Sequence, residues 1–205
     1  MSRIIAGSAG GRRIAMPPGA RTRPTTDRVR EALFAALASW AGTADRPAEQ
    51  ALADLGFCDL YAGSGAVGLE AASRGARPVL LVESDRPTAQ LATKNATDLR
   101  LGVEVQIAGV EELTDRPASR AYDVVFADPP YELPSDAVST VLSRLLERHW
   151  LAPTALVVVE RSRRSPALHW PGAFDQVWAR RYGETVLCFA MITGSVSQAP
   201  VEGER

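Results

Sequence analysis

The sequence predicts an α/β protein with a seven-stranded sheet covered by helices on both faces, its last strand antiparallel, and a small N-terminal β-hairpin arm. Short apolar segments alternate with helical segments from about residue 53, and this alternation is typical of right-handed βαβ units in a parallel sheet. The last two apolar segments are separated only by residues 182–185. A gap of that length fits a hairpin and is too short for a crossover, so the sheet is predicted to end with an antiparallel strand.

The arm is predicted from the start of the chain, where glycines alternate with short apolar runs. Arg3–Gly7 and Gly10–Met16 fit two short strands joined by a glycine-rich turn. Residues 17–19, Pro-Pro-Gly, end this hairpin. The arm is therefore placed at residues 1–22.

A main domain of residues 23–194 is predicted to follow. Its first helix is indicated by apolar residues at helical spacing from Val29 to Trp40, with Thr26 or Asp27 as the N-cap. The strands of the sheet are predicted at Leu55–Leu60, Val79–Val82, Val103–Ile107, Val124–Ala127, Leu156–Glu160, Val177–Arg181 and Val186–Met191, and further helices at Val67–Arg74, Pro87–Leu99 and Ser135–Arg148. Residues 195–205 lack apolar periodicity and are predicted to be a disordered tail.

The composition fits one globular domain, because 46% of the 205 residues are apolar and 23% are charged. Cys58 and Cys188 lie in separate apolar runs and are interpreted as core residues, and a count of two cysteines excludes a disulfide or zinc scaffold. The longest apolar run, at residues 156–159, is far shorter than the ~18 residues that cross a bilayer, and no signal-peptide segment opens the sequence. We expect a monomeric cytoplasmic protein that binds neither membrane nor metal.

Positive charge is concentrated at the start of the chain. Residues 1–30 contain a single acid, Asp27, while the whole chain has a net charge of −1. The basic residues of this segment are all arginines: Arg3, Arg12, Arg13, Arg21, Arg23, Arg28 and Arg30. A basic arm on an acidic body predicts an anionic partner met through the N-terminus, and the alternative is a solvated arm.

A glycine-rich loop follows the first strand of the predicted sheet and opens a helix. Residues 63–68 match the pattern G-x-G-x-x-G, in which glycine lets the backbone turn sharply and approach a ligand closely. Glu83 ends the next strand, where a carboxylate can accept hydrogen bonds from both hydroxyls of a ribose. The pattern is shared by nicotinamide and S-adenosylmethionine enzymes, and a tight turn without a ligand is a third interpretation. Asp85 is interpreted as the cap of the following helix.

The fourth strand runs into Asp128-Pro129-Pro130-Tyr131, which distinguishes between the two cofactors. This segment resembles motif IV of methyltransferases that act on exocyclic amines. Such an amine is a poor nucleophile because its lone pair is delocalised into the ring. Asp128 and the Pro129 carbonyl can each accept one amine hydrogen and so direct the lone pair at an activated methyl group. The prolines stiffen the turn, and Tyr131 can stack on a flipped base.

Four segments together carry a family resemblance: Arg3–Gly7, Arg23–Glu31, Asp59–Gly65 and Asp128–Tyr131. In their order and spacing the chain resembles the bacterial 16S (small-subunit) ribosomal RNA guanine-N2 methyltransferase family, over about residues 2–193. The segment Arg23–Glu31 is the more family-specific one. The resemblance implies a Rossmann-like class I methyltransferase sheet, S-adenosyl-L-methionine as cofactor, and a guanine of 16S rRNA as acceptor. The rRNA would be met within the small ribosomal subunit or its assembly intermediate.

Residues of the site follow from the motifs and the resemblance. The catalytic candidates are Asp128, Pro129 and Tyr131; the cofactor-binding candidates are Asp59, Ala62, Gly63, Ser64, Gly65, Glu83, Ser84 and Val110; and the RNA-binding candidates are Arg3, Arg12, Arg13, Arg21, Arg23 and Arg28. Asp59 favours S-adenosylmethionine over a nicotinamide because an acid there can approach the ammonium end of the cofactor. One departure is Gly109, which stands where such enzymes commonly carry an Asp that contacts adenine. A backbone group near Val110, or Glu111, is the expected substitute.

Two other functions remain open from the sequence. One is methylation of an adenine or cytosine amine in DNA or RNA, since Asp-Pro-Pro-Tyr suits each of these amines. The chain lacks a large target-recognition domain, which disfavours sequence-specific DNA modification. The other is a non-catalytic ribosome assembly factor on the same fold, which the intact Asp128 and the intact glycine loop disfavour.

Overall fold

A seven-stranded mixed sheet and a separate two-stranded hairpin make up the β-structure of the computed structural model, which describes residues 2–17 and 26–192. The hairpin consists of β1 (Ser2–Arg3) and β2 (Arg13–Ile14). The sheet consists of β3 (Phe57–Leu60), β4 (Val79–Glu83), β5 (Glu104–Ile107), β6 (Tyr122–Ala127), β7 (Leu151–Ser162), β8 (Gln176–Tyr182) and β9 (Thr185–Met191). The described helices are α1 (Asp27–Trp40), α2 (Ala66–Ser73), α3 (Arg86–Leu99), α4 (Val110–Thr114) and α5 (Ser135–Glu147), with a 3-10 turn at Ala48–Gln50.

The strand order in the sheet is β5-β4-β3-β6-β7-β9-β8. Strands β3 to β7 pair in parallel, whereas β9 is antiparallel to both of its neighbours, β7 and β8. The predicted α/β class, the seven strands and the antiparallel last strand are thus confirmed. The last strand lies inside the sheet, because the hairpin folds back so that β8 takes the edge.

Both faces of the sheet are covered by apolar side chains. On one face, Leu81, Phe126 and Val158 pack with residues of the arm and of α1, α2 and α3. On the other face, Val125 and Val159 pack with residues of α4 and α5. Parallel strands that are covered on both sides have continuous apolar sequences, which is why their positions are predictable from the sequence.

Two helix caps agree with the sequence. Thr26 Oγ1 accepts the N–H of Val29 at 3.3 Å and begins α1. Asp85 Oδ2 accepts the N–H of Thr88 at 2.9 Å and begins α3. These side chains accept from N–H groups that the first helical turn leaves without intrahelical partners.

Two elements differ from the prediction. Helix α4 is only five residues long, too short for apolar periodicity to indicate it. Strand β7 begins at Leu151, five residues before its predicted start, because a register shift separates the pair Tyr122–Leu151 from the pair Val124–Leu156. The extra residues include Pro153, which lacks an N–H donor and is tolerated in strands at such irregularities.

The hairpin arm is fastened to α2 by a buried carboxylate. Glu70 accepts the N–H groups of Ile5 at 2.6 Å and Ala6 at 3.0 Å and forms a 2.8 Å ion pair with Arg74. The side chain of Arg30 is also fully buried and donates to the carbonyl of Arg3 at 2.5 Å. Arg30 therefore belongs to the packing of the arm, although the sequence counts it in the basic segment.

Candidate active site

The predicted site residues meet at the carboxyl edge of the sheet. Strands β4, β3, β6 and β7 are consecutive neighbours and run in the same direction. Glu83 ends β4, Asp59 precedes the last residue of β3, Asp128 follows β6 and Glu160 lies near the end of β7. Ligands of open α/β sheets bind outside this edge.

Two glycines, Gly65 and Gly68, determine the shape of the loop between β3 and α2. Gly65 has a φ of 85° and caps α2, a conformation that favours glycine. A Cβ on Gly68 would lie 2.1 Å from Leu81 Cδ2, so α2 packs on β4 only without a side chain there. Asp59 Oδ2 accepts the N–H of Gly68 at 2.8 Å and so fixes the first turn of α2 against β3.

Asp59 is buried, and its electrostatics follow from that burial. Loss of solvation raises the pKa of this carboxyl to about 7, the Gly68 N–H lowers it, and the nearby charge of Glu83 raises it. A carboxyl with such a pKa changes its protonation when a cation approaches. Asp59 therefore has two effects: it holds the first turn of α2 by a hydrogen bond, and its protonation sets part of the charge of the site.

Glu83 ties the loop to the end of β4. Its Oε2 accepts the N–H of Gly63 at 2.9 Å and its Oε1 accepts the N–H of Asp85 at 2.8 Å. Ser84, another cofactor candidate, is exposed beside it. Ala62 stays close to the same strand because its N–H donates to the carbonyl of Val82 at 2.9 Å.

A small cavity of about 160 Å³ adjoins Glu83 and is formed where β4, β5 and α4 meet. Its lining includes Ser84 and Val110, both predicted, and Gly109 at the start of α4. Tyr61 closes one side and donates its hydroxyl to Glu111 Oε1 at 2.8 Å. Glu111, which the sequence offers as a substitute for the missing Asp, lines this cavity.

Tyr61 is not among the residues predicted for the site, although it stands two positions before Gly63. It has a φ of 60°, a left-handed conformation that few non-glycine residues adopt. Its burial and the bond to Glu111 raise the pKa of the phenol. The positive φ of Tyr61 and its partner across the cavity depend on the folded loop, so no direct signal for either is present in the sequence.

The Asp-Pro-Pro-Tyr turn lies at the same edge, next to the glycine loop. The Asp128 N–H donates to the carbonyl of Leu60 at 3.4 Å, which joins the turn to β3. Burial raises the pKa of the Asp128 carboxyl well above its usual value, the charges of Glu160 and Asp59 raise it further, and the charge of Arg161 lowers it. Pro129 is buried, whereas Tyr131 is 62% exposed.

A larger groove of about 490 Å³ begins at Tyr131 and continues along the start of α5. Arg161 lies in its wall and is only 7% exposed. It donates to Ser135 Oγ at 3.1 Å, and Arg164 lines the groove further out. The exposed ring of Tyr131 offers a surface on which a nucleic acid base can stack, and Glu132 and Asp136 line the groove beside the arginines.

Asn95 joins the hairpin arm to the glycine loop, and we call this contact the Asn95 bridge. Its Oδ1 accepts the N–H of Ala15 at 3.0 Å. Its Nδ2 donates to the carbonyls of Ala15 and Ser64, both at 3.0 Å. The hydroxyl of Ser64 also donates to Met16 Sδ at 3.1 Å. The end of the arm therefore lies directly on a predicted cofactor residue.

Four of the predicted RNA-binding arginines lie within the described residues. Arg3, Arg12, Arg13 and Arg28 are all exposed, and Arg3 lies 3.7 Å from Asp27. Arg12 donates to the carbonyl of Leu99 at 2.9 Å and to that of Asp98, which satisfies carbonyls at the end of α3.

The remaining candidates, Arg21 and Arg23, lie outside the described residues, as does the tail predicted at 195–205.

Within residues 2–17 and 26–192, no three His, Cys, Asp or Glu side chains are grouped as metal ligands. In the same part of the chain, no helix is long and apolar enough to cross a membrane.

The sheet order and the edge residues define a protein of the seven-stranded methyltransferase fold. A solved structure described as putative methyltransferase yhhF from Escherichia coli superposes with a TM-score of 0.76 and 31% identity, covering 93% of this chain and 97% of that one. The putative methylase HI0767 from Haemophilus influenzae superposes with a TM-score of 0.72 and 29% identity over 93% and 97% of the two chains.

The chain belongs to the family described as conserved hypothetical protein 95, whose sequence model matches residues 2–191. Among its curated relatives is ribosomal RNA small subunit methyltransferase D of Escherichia coli K12, with 36% identity over 77% of this chain and 73% of the relative. The protein of that name from Haemophilus influenzae is 32% identical over 81% of each chain. These matches confirm the resemblance seen in the sequence.

Proposed function

We propose that this chain is an S-adenosyl-L-methionine-dependent enzyme that methylates the exocyclic N2 amine of a guanine in 16S rRNA. The observation that carries the proposal is the placement of Asp128-Pro129-Pro130-Tyr131 beside the glycine loop, at the edge that also holds Asp59 and Glu83. The names of the curated relatives support rRNA of the small subunit as the substrate.

The residues at the edge fit this cofactor. The loop at Gly63 has open space around it and comes close to Glu83, whose carboxylate suits a ribose. The cavity beside Val110 and Tyr61 is partly apolar and suits an adenine ring. Asp59 lies at the end of β3, just before the loop, and a carboxylate there suits the positively charged end of the cofactor. When bound, S-adenosylmethionine supplies an activated methyl group.

The chain's own residues then prepare the amine. In the proposed mechanism the Asp128 carboxylate accepts one amine hydrogen and the Pro129 carbonyl accepts the other, which directs the nitrogen lone pair out of the ring system. The Asp128 carboxyl can take the proton that the amine loses, because its raised pKa makes it a better base than an ordinary Asp. Tyr131, exposed beside the groove, offers a ring on which the base can stack.

The RNA itself is proposed to contact the arm and the groove. Arg3, Arg13 and Arg28 are exposed and can neutralise phosphates. We propose a monomeric cytoplasmic enzyme that acts on the small subunit or an assembly intermediate. Methylation of an adenine or cytosine amine is the second candidate, since the Asp128 turn suits those amines as well.

The proposal is tested by incubating the protein with radiolabelled S-adenosylmethionine and unmodified small subunits, followed by nucleoside analysis of the rRNA. We expect the label in N2-methylguanosine. Asp128→Ala is the matched control, and it should still bind the cofactor while losing methyl transfer. Label in an adenine or a cytosine would favour the second candidate. Full activity of the control variant would remove Asp128 from the mechanism.

A further inference from the structure

We propose that Glu160 recognises the N1–H of the target guanine beside Asp128 and thereby selects guanine over the other bases that carry an exocyclic amine. This inference rests on the proposed function, because it assigns a second contact in the same site. In this inference Glu160 determines the specificity for guanine, while Asp128 accepts a hydrogen of the amine.

The register of the sheet places the two acids side by side. The last recorded pair between β6 and β7 is Ala127–Val159, so Asp128 and Glu160 are the next residues on adjacent parallel strands. Adjacent strands are about 4.8 Å apart. Glu160 is only 7% exposed and pairs on its other side with Leu187 of β9. It is therefore held at the edge by strands on both sides.

Electrostatics show that the two carboxyl groups interact. After burial, the charge of Glu160 is the largest cause of the raised pKa of Asp128. Arg161 follows Glu160 in the strand and so projects to the opposite face of the sheet, where it donates to Ser135 of α5 at 3.1 Å. The Glu160 side chain thus lies on the same side as Asp59 and Asp128, which is the side of the glycine loop.

Base chemistry supplies the other half of the inference. Guanine carries two adjacent donors on its Watson–Crick edge, the N1–H and the N2 amine. In adenine and cytosine the ring nitrogen beside the amine is an acceptor, and a carboxylate facing it would be repelled. Two neighbouring carboxylates therefore fit guanine and reject the other two bases, because a site built to accept from a donor discriminates strongly against its absence.

The experiment exchanges the ring donor while keeping the amine. Small subunits are reconstituted with either guanine or 2-aminopurine at the methylated position; 2-aminopurine keeps the N2 amine, but its N1 carries a lone pair. Single-turnover methylation rates are measured for the full-length wild type and for Glu160→Gln. The amide of Gln can donate to N1 of 2-aminopurine, which the carboxylate cannot.

We expect the wild type to prefer guanine by about tenfold or more, the loss produced by one missing hydrogen bond to a charged group. Glu160→Gln should reduce or invert this ratio, and any intrinsic difference in reactivity between the bases cancels in that comparison. Glu104→Gln, on the exposed strand β5, is the matched control and should keep the wild-type ratio.

Three outcomes separate the inference from the proposed function. An unchanged ratio in a folded Glu160→Gln that binds S-adenosylmethionine would overturn the role of Glu160. A Glu160→Gln variant that prefers guanine more strongly than the wild type would overturn it as well. A wild type that methylates no guanine in the small subunit would overturn the proposed function itself.

Discussion

Asp59, Asp128 and Glu160 bring three carboxyl groups to one edge of the sheet. Asp59 and Glu160 are buried, and burial also raises the pKa of Asp128. Like charges in a poorly solvated site favour the protonated form of a carboxyl group, whereas a bound cation favours the carboxylate. This arrangement suits a positively charged cofactor, and in the proposed mechanism it places a base next to the reacting amine.

The raised pKa of Asp59 predicts a pH-dependent penalty on stability. Between its ordinary 3.8 and the folded value of about 7, the folded protein holds a proton that the unfolded chain has released. Stability therefore falls as pH rises through this range. Asp59→Asn keeps an acceptor for the Gly68 N–H and does not titrate.

We expect the Asn variant to gain unfolding free energy relative to the wild type as pH rises from about 4 to about 7, with no further gain above that. Urea denaturation at several pH values checks this. A difference that stays constant across the range would contradict the assignment of the proton to Asp59.

Substitutions at Tyr131 distinguish stacking by its ring from hydrogen bonding by its hydroxyl. Base–aromatic stacking is worth about 1–3 kcal/mol per base. Tyr131→Phe keeps the ring and should retain most activity, while Tyr131→Ala should lose roughly tenfold to more than a hundredfold. Because the side chain is 62% exposed, neither variant should shift the melting temperature much. Single-turnover methylation checks the first expectation, and a Phe variant as inactive as Ala would point to the hydroxyl instead.

At the scale of elements, the glycine loop depends on the packing of α2 on β4. Gly68→Ala places a Cβ 2.1 Å from Leu81 Cδ2 and 3.2 Å from Asp59, so either α2 or the buried Leu81 side chain must shift. We expect a loss of stability of about 1–3 kcal/mol and weaker binding of S-adenosylmethionine by calorimetry. Gly102→Ala is the control, since no atom lies within 4 Å of its Cβ. Equal effects of the two substitutions would contradict the packing argument.

The arm and α2 are joined by Glu70, and a second prediction belongs to this contact. Glu70→Ala removes the buried carboxylate that pairs with Arg74 at 2.8 Å and with Arg30 at 3.9 Å, so that Arg30 keeps only the half-exposed Asp27. It also removes acceptors from the N–H groups of Ile5 and Ala6. Breaking a buried ion pair lowers the unfolding free energy by about 3–5 kcal/mol. Asp98→Ala, in the exposed pair with Lys94, should lower it by less than about 1 kcal/mol. Urea denaturation of both variants makes the comparison.

The elements also show what the sequence can and cannot predict. The strands of the sheet and the cap of α1 follow from apolar runs and local side-chain chemistry, so they are predictable. The five-residue helix α4 and the irregular start of β7 near Pro153 depend on tertiary packing. The burial of Arg30 also depends on tertiary packing. The sequence therefore counts Arg30 in the basic segment, since a charged residue gives no sign that it is buried.

For the candidate site, the motifs identify Asp59, Glu83 and Asp128 because their chemistry is tied to the ends of strands. Tyr61 and its bond to Glu111 cannot be found in the same way. Their contact joins positions fifty residues apart in the chain and requires the positive φ of Tyr61, which is set by the folded loop.

At the scale of the whole molecule, the basic arm and the acidic body predict how RNA binding responds to salt. Deleting the arm would strip partners from the buried Glu70 and Arg30, so neutralising exposed side chains is the cleaner change. Arg13→Gln with Arg28→Gln should make the dependence of log affinity on log salt shallower by ~0.7–0.9 for each phosphate that the variant no longer neutralises. Binding to rRNA across a salt series is the measurement.

The control for this prediction is Arg116→Gln with Arg148→Gln. Both residues precede strands, β6 and β7, and therefore lie toward the edge opposite the candidate site. The control substitutions remove the same formal charge as the arm substitutions. If only the net charge of the protein mattered, both double variants would change the dependence of log affinity on log salt equally. An identical slope for the arm variant and this control would exclude a specific contact through Arg13 and Arg28.

The Asn95 bridge has a thermodynamic consequence for an enzyme with two large ligands. One side chain bonds both Ala15 of the arm and Ser64 of the glycine loop, so a displacement of one segment alters the contacts of the other. If the arm meets the RNA and the loop meets the cofactor, their affinities become reciprocal: whatever factor the cofactor adds to RNA binding, the RNA must add to cofactor binding. The arm would then do more than attract RNA by its charge. RNA bound at the arm would also change the affinity of the glycine loop for the methyl donor.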